Sequence, residues 1–126
     1  MTAVVDPTCE ALGIELEQVG AGRARLRMPA TAQMANLHGT VHGGYLFLLA
    51  DAAFAYACNS QGALAVAHSA QISFLRAAAV GDQLVAEAVQ VERHGRSGVY
   101  DVTVTRHTGE VIAVFRGNTI FFATSS

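Results

Sequence analysis

Charge is scarce in this sequence. Only 14% of its 126 residues are charged, against 52% hydrophobic, which excludes a disordered chain and leaves apolar material for one sizeable core. Lysine is absent: the eight cations are all arginine, scattered from Arg23 to Arg116, and the formal net charge is −2. A nucleic-acid partner would need a basic face, so none is expected. There are two cysteines, Cys9 and Cys58, with no CxxC pair. That excludes a zinc ribbon and a disulfide framework, and fits reduced thiols in the cytoplasm. The leading residues carry Asp6 and Glu10 but neither a basic stretch nor an apolar run, so no secretory signal is read there. No apolar run reaches the ~20 residues a membrane-spanning helix needs, and no membrane partner is expected. Linkers, repeats and low-complexity tracts are missing as well, so residues 1–126 read as a single domain.

What is present is a clear order of periods. Residues 14–19 and 23–28 are short strand candidates joined by Gly20-Ala21-Gly22, and Pro29 closes them. A polar, glycine-bearing loop runs to His42. Residues 43–58, GGYLFLLADAAFAYAC, then contain no β-branched residue and are rich in Ala and Leu, which predicts a helix. Asn59-Ser60-Gln61-Gly62 is its stop. From Leu64 to Phe74 the period changes to two, and further strands are predicted over 83–93, 97–106 and 110–122, with turns at Gly81-Asp82, His94-Gly95-Arg96 and Thr108-Gly109. A helix apolar around its circumference must be covered on all sides, and one small antiparallel sheet does this by curling around it. The expected fold is therefore α+β of the hotdog type. Strands apolar on both faces, such as the one holding Val85, Val89 and Val91 against Leu84, Ala86 and Ala88, point to a homo-oligomer.

Several short motifs carry little. "GAGRAR" at Gly20 lacks the third glycine and the following helix of a dinucleotide site, and "GRSG" at Gly95 is not a nucleophile elbow. His38 and His42 are four apart, but Gly39, Gly43 and Gly44 argue against a helix there, so no metal site is expected. His42-Gly43-Gly44 is more telling. It opens the apolar helix, where glycines let a substrate approach and unpaired amides suit an oxyanion. Asp51 is the only charged residue in the helix, and a lone buried carboxylate costs several kcal/mol unless it is paired or used. Eight residues of helix separate Asp51 from Gly43, about 12 Å along the axis, too far for both to touch one carbonyl. A two-fold dimer with antiparallel helices would bring Asp51 of one chain beside Gly43 of the other.

The run "HGGYLFLLADAAFAYACNSQG", with "ISFLRAAAVGD" and "GRSGVYDV" downstream, resembles the PaaI-type thioesterases of phenylacetic acid degradation in the hotdog superfamily. The resemblance extends from about Ala11 to Phe121. It implies hydrolysis of acyl-CoA thioesters by a dimer of dimers with shared sites, and no cofactor beyond the CoA of the substrate. Carried over by position, Asp51 is the catalytic carboxylate, Gly43 supplies the amide that polarises the carbonyl, and Asn36 and His42 help position carbonyl and water. Relatives often place a Ser or Thr helper on the next strand; Ser69, His68 and Ala67 all stand near that place, and the role is unassigned. Ala77 stands where the family commonly has proline.

Arginine's fork of donors suits the phosphates of CoA. Arg76, Arg93 and Arg96 are candidates, and the resemblance favours the turn that holds Arg96, Ser97 and Gly98. Gly44 would let the substrate approach the helix, and Tyr45, Phe47 and Phe54 are either aryl-pocket walls or plain core. The expected activity is hydrolysis of arylacetyl-CoA, phenylacetyl or hydroxyphenylacetyl, to free acid and CoA, with Asp51 as general base or as nucleophile. Two readings from other classes stay open: a hotdog enoyl-thioester hydratase or dehydratase, and an acyl-CoA binding protein without catalysis.

Overall fold

The structure is a computed structural model that describes residues 5–122; the first four residues of the leading segment and the last four of the chain lie outside the described residues. Helix α1 (Pro7–Leu12) is short, with the Asp6 side chain accepting from the Cys9 amide, Pro7 in its first turn and Gly13 closing it at φ 73°. The sequence spelled these signals, yet no helix was expected there. Strands β1 (Glu15–Gly20) and β2 (Arg23–Pro29) follow. Their two-residue turn puts Ala21 and Gly22 at φ 54° and 77°, the paired positive values that suit a tight hairpin. After a single 3₁₀ turn at Ala32–Met34 come α2 (Gly43–Cys58), β3 (Leu64–Phe74), β4 (Gln83–His94), β5 (Ser97–Arg106) and β6 (Val111–Phe122).

All strands lie in one antiparallel sheet of order β1-β2-β4-β5-β6-β3. Period two sorts its faces. Leu26 and Met28, Leu84 and Ala86, Val102 and Val104, Ala113 and Phe115 turn inward and are buried with Leu46, Leu49, Ala50, Ala53 and Phe54 of α2. The outer face carries charge: Arg25 and Arg27 bond Glu17, and Arg116 grips Asp101 through two bonds of 2.7 and 2.8 Å. This is the hotdog architecture. The coverage of the helix differs from expectation. The sheet wraps one side of α2, and a stripe of Gly44, Leu48, Asp51, Ala52 and Ala55 remains exposed or half-buried, so the chain does not enclose its helix by itself.

Phe54 sets the core. Its ring stands 5.7 Å from that of Tyr100 and 5.6 Å from that of Phe115, and it fills the space over Gly117, where a Cβ would lie 2.7 Å from it. Phe54 is only 1% exposed. The expectation that it lines an aryl pocket is therefore corrected: within the chain it is a core residue. Gly117→Ala should overpack this contact and destabilise the fold by about 1–3 kcal/mol. A lowered thermal midpoint with unchanged secondary structure is the expected observation, and an unaltered midpoint would contradict it.

Candidate active site

The loop before α2 is held closed by Asn36. Its Oδ1 accepts from the amides of His38 at 2.9 Å and Thr40 at 3.2 Å, and its Nδ2 donates to Thr40 Oγ1 at 2.8 Å. The Asn36 amide donates to Thr40 O at 2.8 Å, and Gly39 at φ 78° makes the reversal. The loop's ends are pinned by bonds from His42 N to Met34 O and from Val41 N to Ala78 O. A closed turn therefore separates His38 from His42, in place of the shared helical face on which a ligand pair would depend. Thr40 is the residue here that sequence reasoning missed; its only signal was a hydroxyl four residues from an asparagine.

His42 is the cap residue of α2 and places no side-chain acceptor on the helix's first amides. Gly43 and Gly44 thus begin a 16-residue helix with donors free for a ligand and the positive end of the dipole behind them. Gly44 has open space where a side chain would stand. Gly43 does not, because a Cβ there would lie 2.9 Å from the ring of Phe74. A cleft of about 520 Å³ opens beside Gly43, walled by Val41, Leu46, Phe74 and the run from Leu75 to Ala78.

Asp51 stands two turns further along, half-buried on the open stripe. Burial alone raises its pKa above the ordinary carboxylate value, with no neighbouring cation or hydrogen bond to offset it. A carboxylate raised by burial, with no cation beside it among the described residues, is a candidate functional group. Within one chain it stays about 12 Å from Gly43 along the helix. The buried thiols Cys9 and Cys58 are each pushed up to about 12, chiefly by desolvation, so neither is a thiolate nucleophile near neutral pH.

The strand after the helix resolves the helper positions. Ala67 pairs with Thr119 and Ala70 with Gly117, both on the inner face, whereas Ser69 pairs with Asn118 and accepts from its Nδ2 at 2.9 Å on the outer face. A bulge at His68 shifts the alternation between them. Ser69 thus faces away from α2.

The β4–β5 turn lies at the opposite end of α2 from Gly43, where Ser97 pairs with Ile120 and Leu64 with Phe122. Arg96 donates through Nε to Phe121 O at 3.2 Å, and the Arg93 guanidinium lies 3.7 Å over the Phe121 ring. Ser97 is exposed. Gly98 is buried, and a Cβ there would meet Phe121 at 2.7 Å, so its missing side chain makes room for that ring. Among the described residues Arg23, Arg76, Arg93 and Arg96 have no carboxylate partner, while the other four arginines do. One chain therefore brings Asn36, His42, Gly43 and Gly44 together at one end and Arg96, Ser97 and Gly98 at the other, with Asp51 between. A smaller groove of about 330 Å³ on the outer face, lined by Gln71, Ser73, Asp101 and Arg116 among others, is cut off from both by the sheet.

Comparison with known proteins places the chain in a family. The family model described as "Thioesterase superfamily" matches residues 38–113. The chain belongs to the thioesterase superfamily. It is 49% identical over 113 residues to the acyl-coenzyme A thioesterase PaaI of Escherichia coli (strain K12), covering 89% of this chain and 80% of that one. The structure of the E. coli PaaI protein from the phenylacetic acid degradation operon superposes on this thioesterase with a TM-score of 0.92, covering 95% of this chain and 87% of that one at 43% identity. An asparagine-to-aspartate mutant of the phenylacetic acid degradation protein PaaI of Thermus thermophilus gives 0.89 at 38% identity, covering 93% of this chain and all of that one. A hypothetical thioesterase of Streptococcus pneumoniae, solved with coenzyme A, gives 0.84 at 25% identity, covering 90% of this chain and 91% of that one.

Proposed function

We propose that this thioesterase hydrolyses arylacetyl-CoA, such as phenylacetyl-CoA or hydroxyphenylacetyl-CoA, to the free acid and CoA at sites shared between two chains. The observation that carries the reading is the separation of Asp51 from the Gly43 amide along one helix, about 12 Å, with the first in a half-buried stripe and the second in a cleft. Strand β3 suggests how two chains supply both. It is one of the two edge strands of the sheet, with β1 at the other side, and Leu64 and Val66 on it are each at least half exposed. An edge this long tends to be covered by another strand. A two-fold pairing of β3 with its copy lays the two α2 helices antiparallel, so Gly43, Asn36 and His42 of one chain face Asp51 of the other.

In this site the Gly43 amide and the positive end of α2 stabilise the oxyanion that forms on the thioester carbonyl. Asp51 takes a proton from water as it attacks, or attacks the carbonyl itself and passes through a mixed anhydride. Single turnover in heavy-oxygen water separates the routes, since label in Asp51 excludes the first. The thiolate of CoA leaves. Arg93 and Arg96, which have no carboxylate partner among the described residues, would meet the phosphates of CoA. The chemistry draws on water, one amide and one carboxylate, and calls for no metal or redox group. No helix among the described residues is long and apolar enough to cross a membrane; a cytoplasmic location and a dimer of dimers belong to the same proposal.

Thiol release from a panel of acyl-CoAs tests the reading. Phenylacetyl-CoA and hydroxyphenylacetyl-CoA should exceed palmitoyl-CoA in kcat/KM by at least about tenfold, the effect of a pocket misfit. Palmitoyl-CoA ranked first would overturn the aryl assignment, and binding without thiol release would make the protein a CoA-ester sensor. Asp51 must be ionised to act by either route. Since burial raises its pKa, the acid limb of kcat/KM should fall at a pH above the ordinary carboxylate value of ~3.9. A limb at or below that value would contradict the assignment.

A further inference from the structure

Phe74 is an aromatic side chain in an unusual place. It ends β3 on the inner face, paired with Ala113, yet it is 52% exposed. It takes part in none of the ring pairs among the described residues, which link Phe47, Phe54, Tyr100 and Phe115. Its ring tip sits against Gly43, with Cζ and Cε1 2.9 and 3.1 Å from the position a Cβ would take. It is thus a wall of the same cleft that holds the Gly43 amide. The other side chains of that cleft are mostly apolar: Val41, Leu46, Leu75, Ala77 and Ala78, with Arg76 anchored by its bond to Val111 O at 2.7 Å.

A thioester carbonyl bound to the Gly43 amide has its acyl carbons within a few ångströms, so an apolar wall beside that amide meets the acyl group. An aromatic ring there favours another ring, through edge-to-face or offset contact, over an alkyl chain of similar area. We propose that Phe74 is a specificity-determining residue that receives the aryl ring of the acyl group in the cleft that Val41 and Leu46 also line. This rests on the thioesterase reading above and adds to it the side chain that selects the substrate. The half-exposed ring holds little of the core, so its replacement leaves the fold intact.

The test measures kcat/KM for phenylacetyl-CoA and butyryl-CoA on the full-length protein and on Phe74→Leu and Phe74→Tyr. Leucine should lower phenylacetyl-CoA turnover about tenfold while changing butyryl-CoA by less than about twofold, and tyrosine should keep the wild-type ratio. A purely structural role would move both substrates together, and that outcome overturns the proposal, as does an unchanged ratio in Phe74→Leu. A wild-type protein that hydrolyses butyryl-CoA faster than phenylacetyl-CoA overturns the aryl reading and this one with it. Absence of thiol release from both esters overturns the thioesterase reading itself, so each level fails by a different result.

Discussion

Asp51→Asn should reduce kcat for acyl-CoA hydrolysis by about 10³-fold or more while the protein folds and still binds CoA esters. The amide is nearly the size of the carboxylate but is neither a base nor a ready nucleophile, and removing a group that acts in the transition state typically costs roughly 10²- to 10⁴-fold. Stability should move the other way. Burial raises the pKa of Asp51, so the folded chain holds that proton more tightly than the unfolded one, and ionisation costs stability at every pH above the ordinary carboxylate range. Asparagine has no charge to desolvate. The variant should therefore melt higher than wild type near neutral pH, with the difference closing as pH falls through the carboxylate range. Loss of activity with gain of stability is the signature of a group retained for chemistry. Near-normal turnover would remove Asp51 from the mechanism, and a lower melting point at neutral pH would show that it holds the fold.

The sheet and helix were legible because their signals are local. Alternation from Leu64 to Phe74 and glycines at the turns gave strands close to those observed, and the Ala- and Leu-rich run gave α2 its observed bounds, Gly43–Cys58. The order of strands in space lies beyond such signals, and so does the coverage of the helix. A run that is apolar all round says that every side must be covered, yet it does not say by which chain. Phe54 shows the same limit at one residue. An aromatic three positions from Asp51 has the same letter in a pocket or in a core, and Gly117, sixty-three positions away, settles it by leaving the space its ring fills. For Ser69 the obstacle is parity. A single bulge at His68 turns the hydroxyl to the outer face, and no residue type announces that bulge.

Mixing two inactive variants should restore activity if the site is shared. Asp51→Asn leaves Gly43 and Asn36 intact, while Asn36→Ala removes the side chain that bonds the His38 and Thr40 amides and Thr40 Oγ1 and leaves Asp51 intact. In a dimer of one chain of each kind, one site combines both defects and the other has neither. Random exchange of equal amounts makes half the dimers mixed, with one intact site of two, so the mixture should approach roughly a quarter of wild-type activity from two near-silent parents. The alternative is equally definite. If Asp51 acts with the Gly43 of its own chain, every site in every dimer carries one defect and mixing restores nothing. Exchange must be shown independently, by energy transfer between labelled chains, and absence of rescue after proven exchange would return the site to a single chain. The 16-residue length of α2 favours the shared arrangement, because no bending of a straight helix brings its first residue and its ninth to one carbonyl.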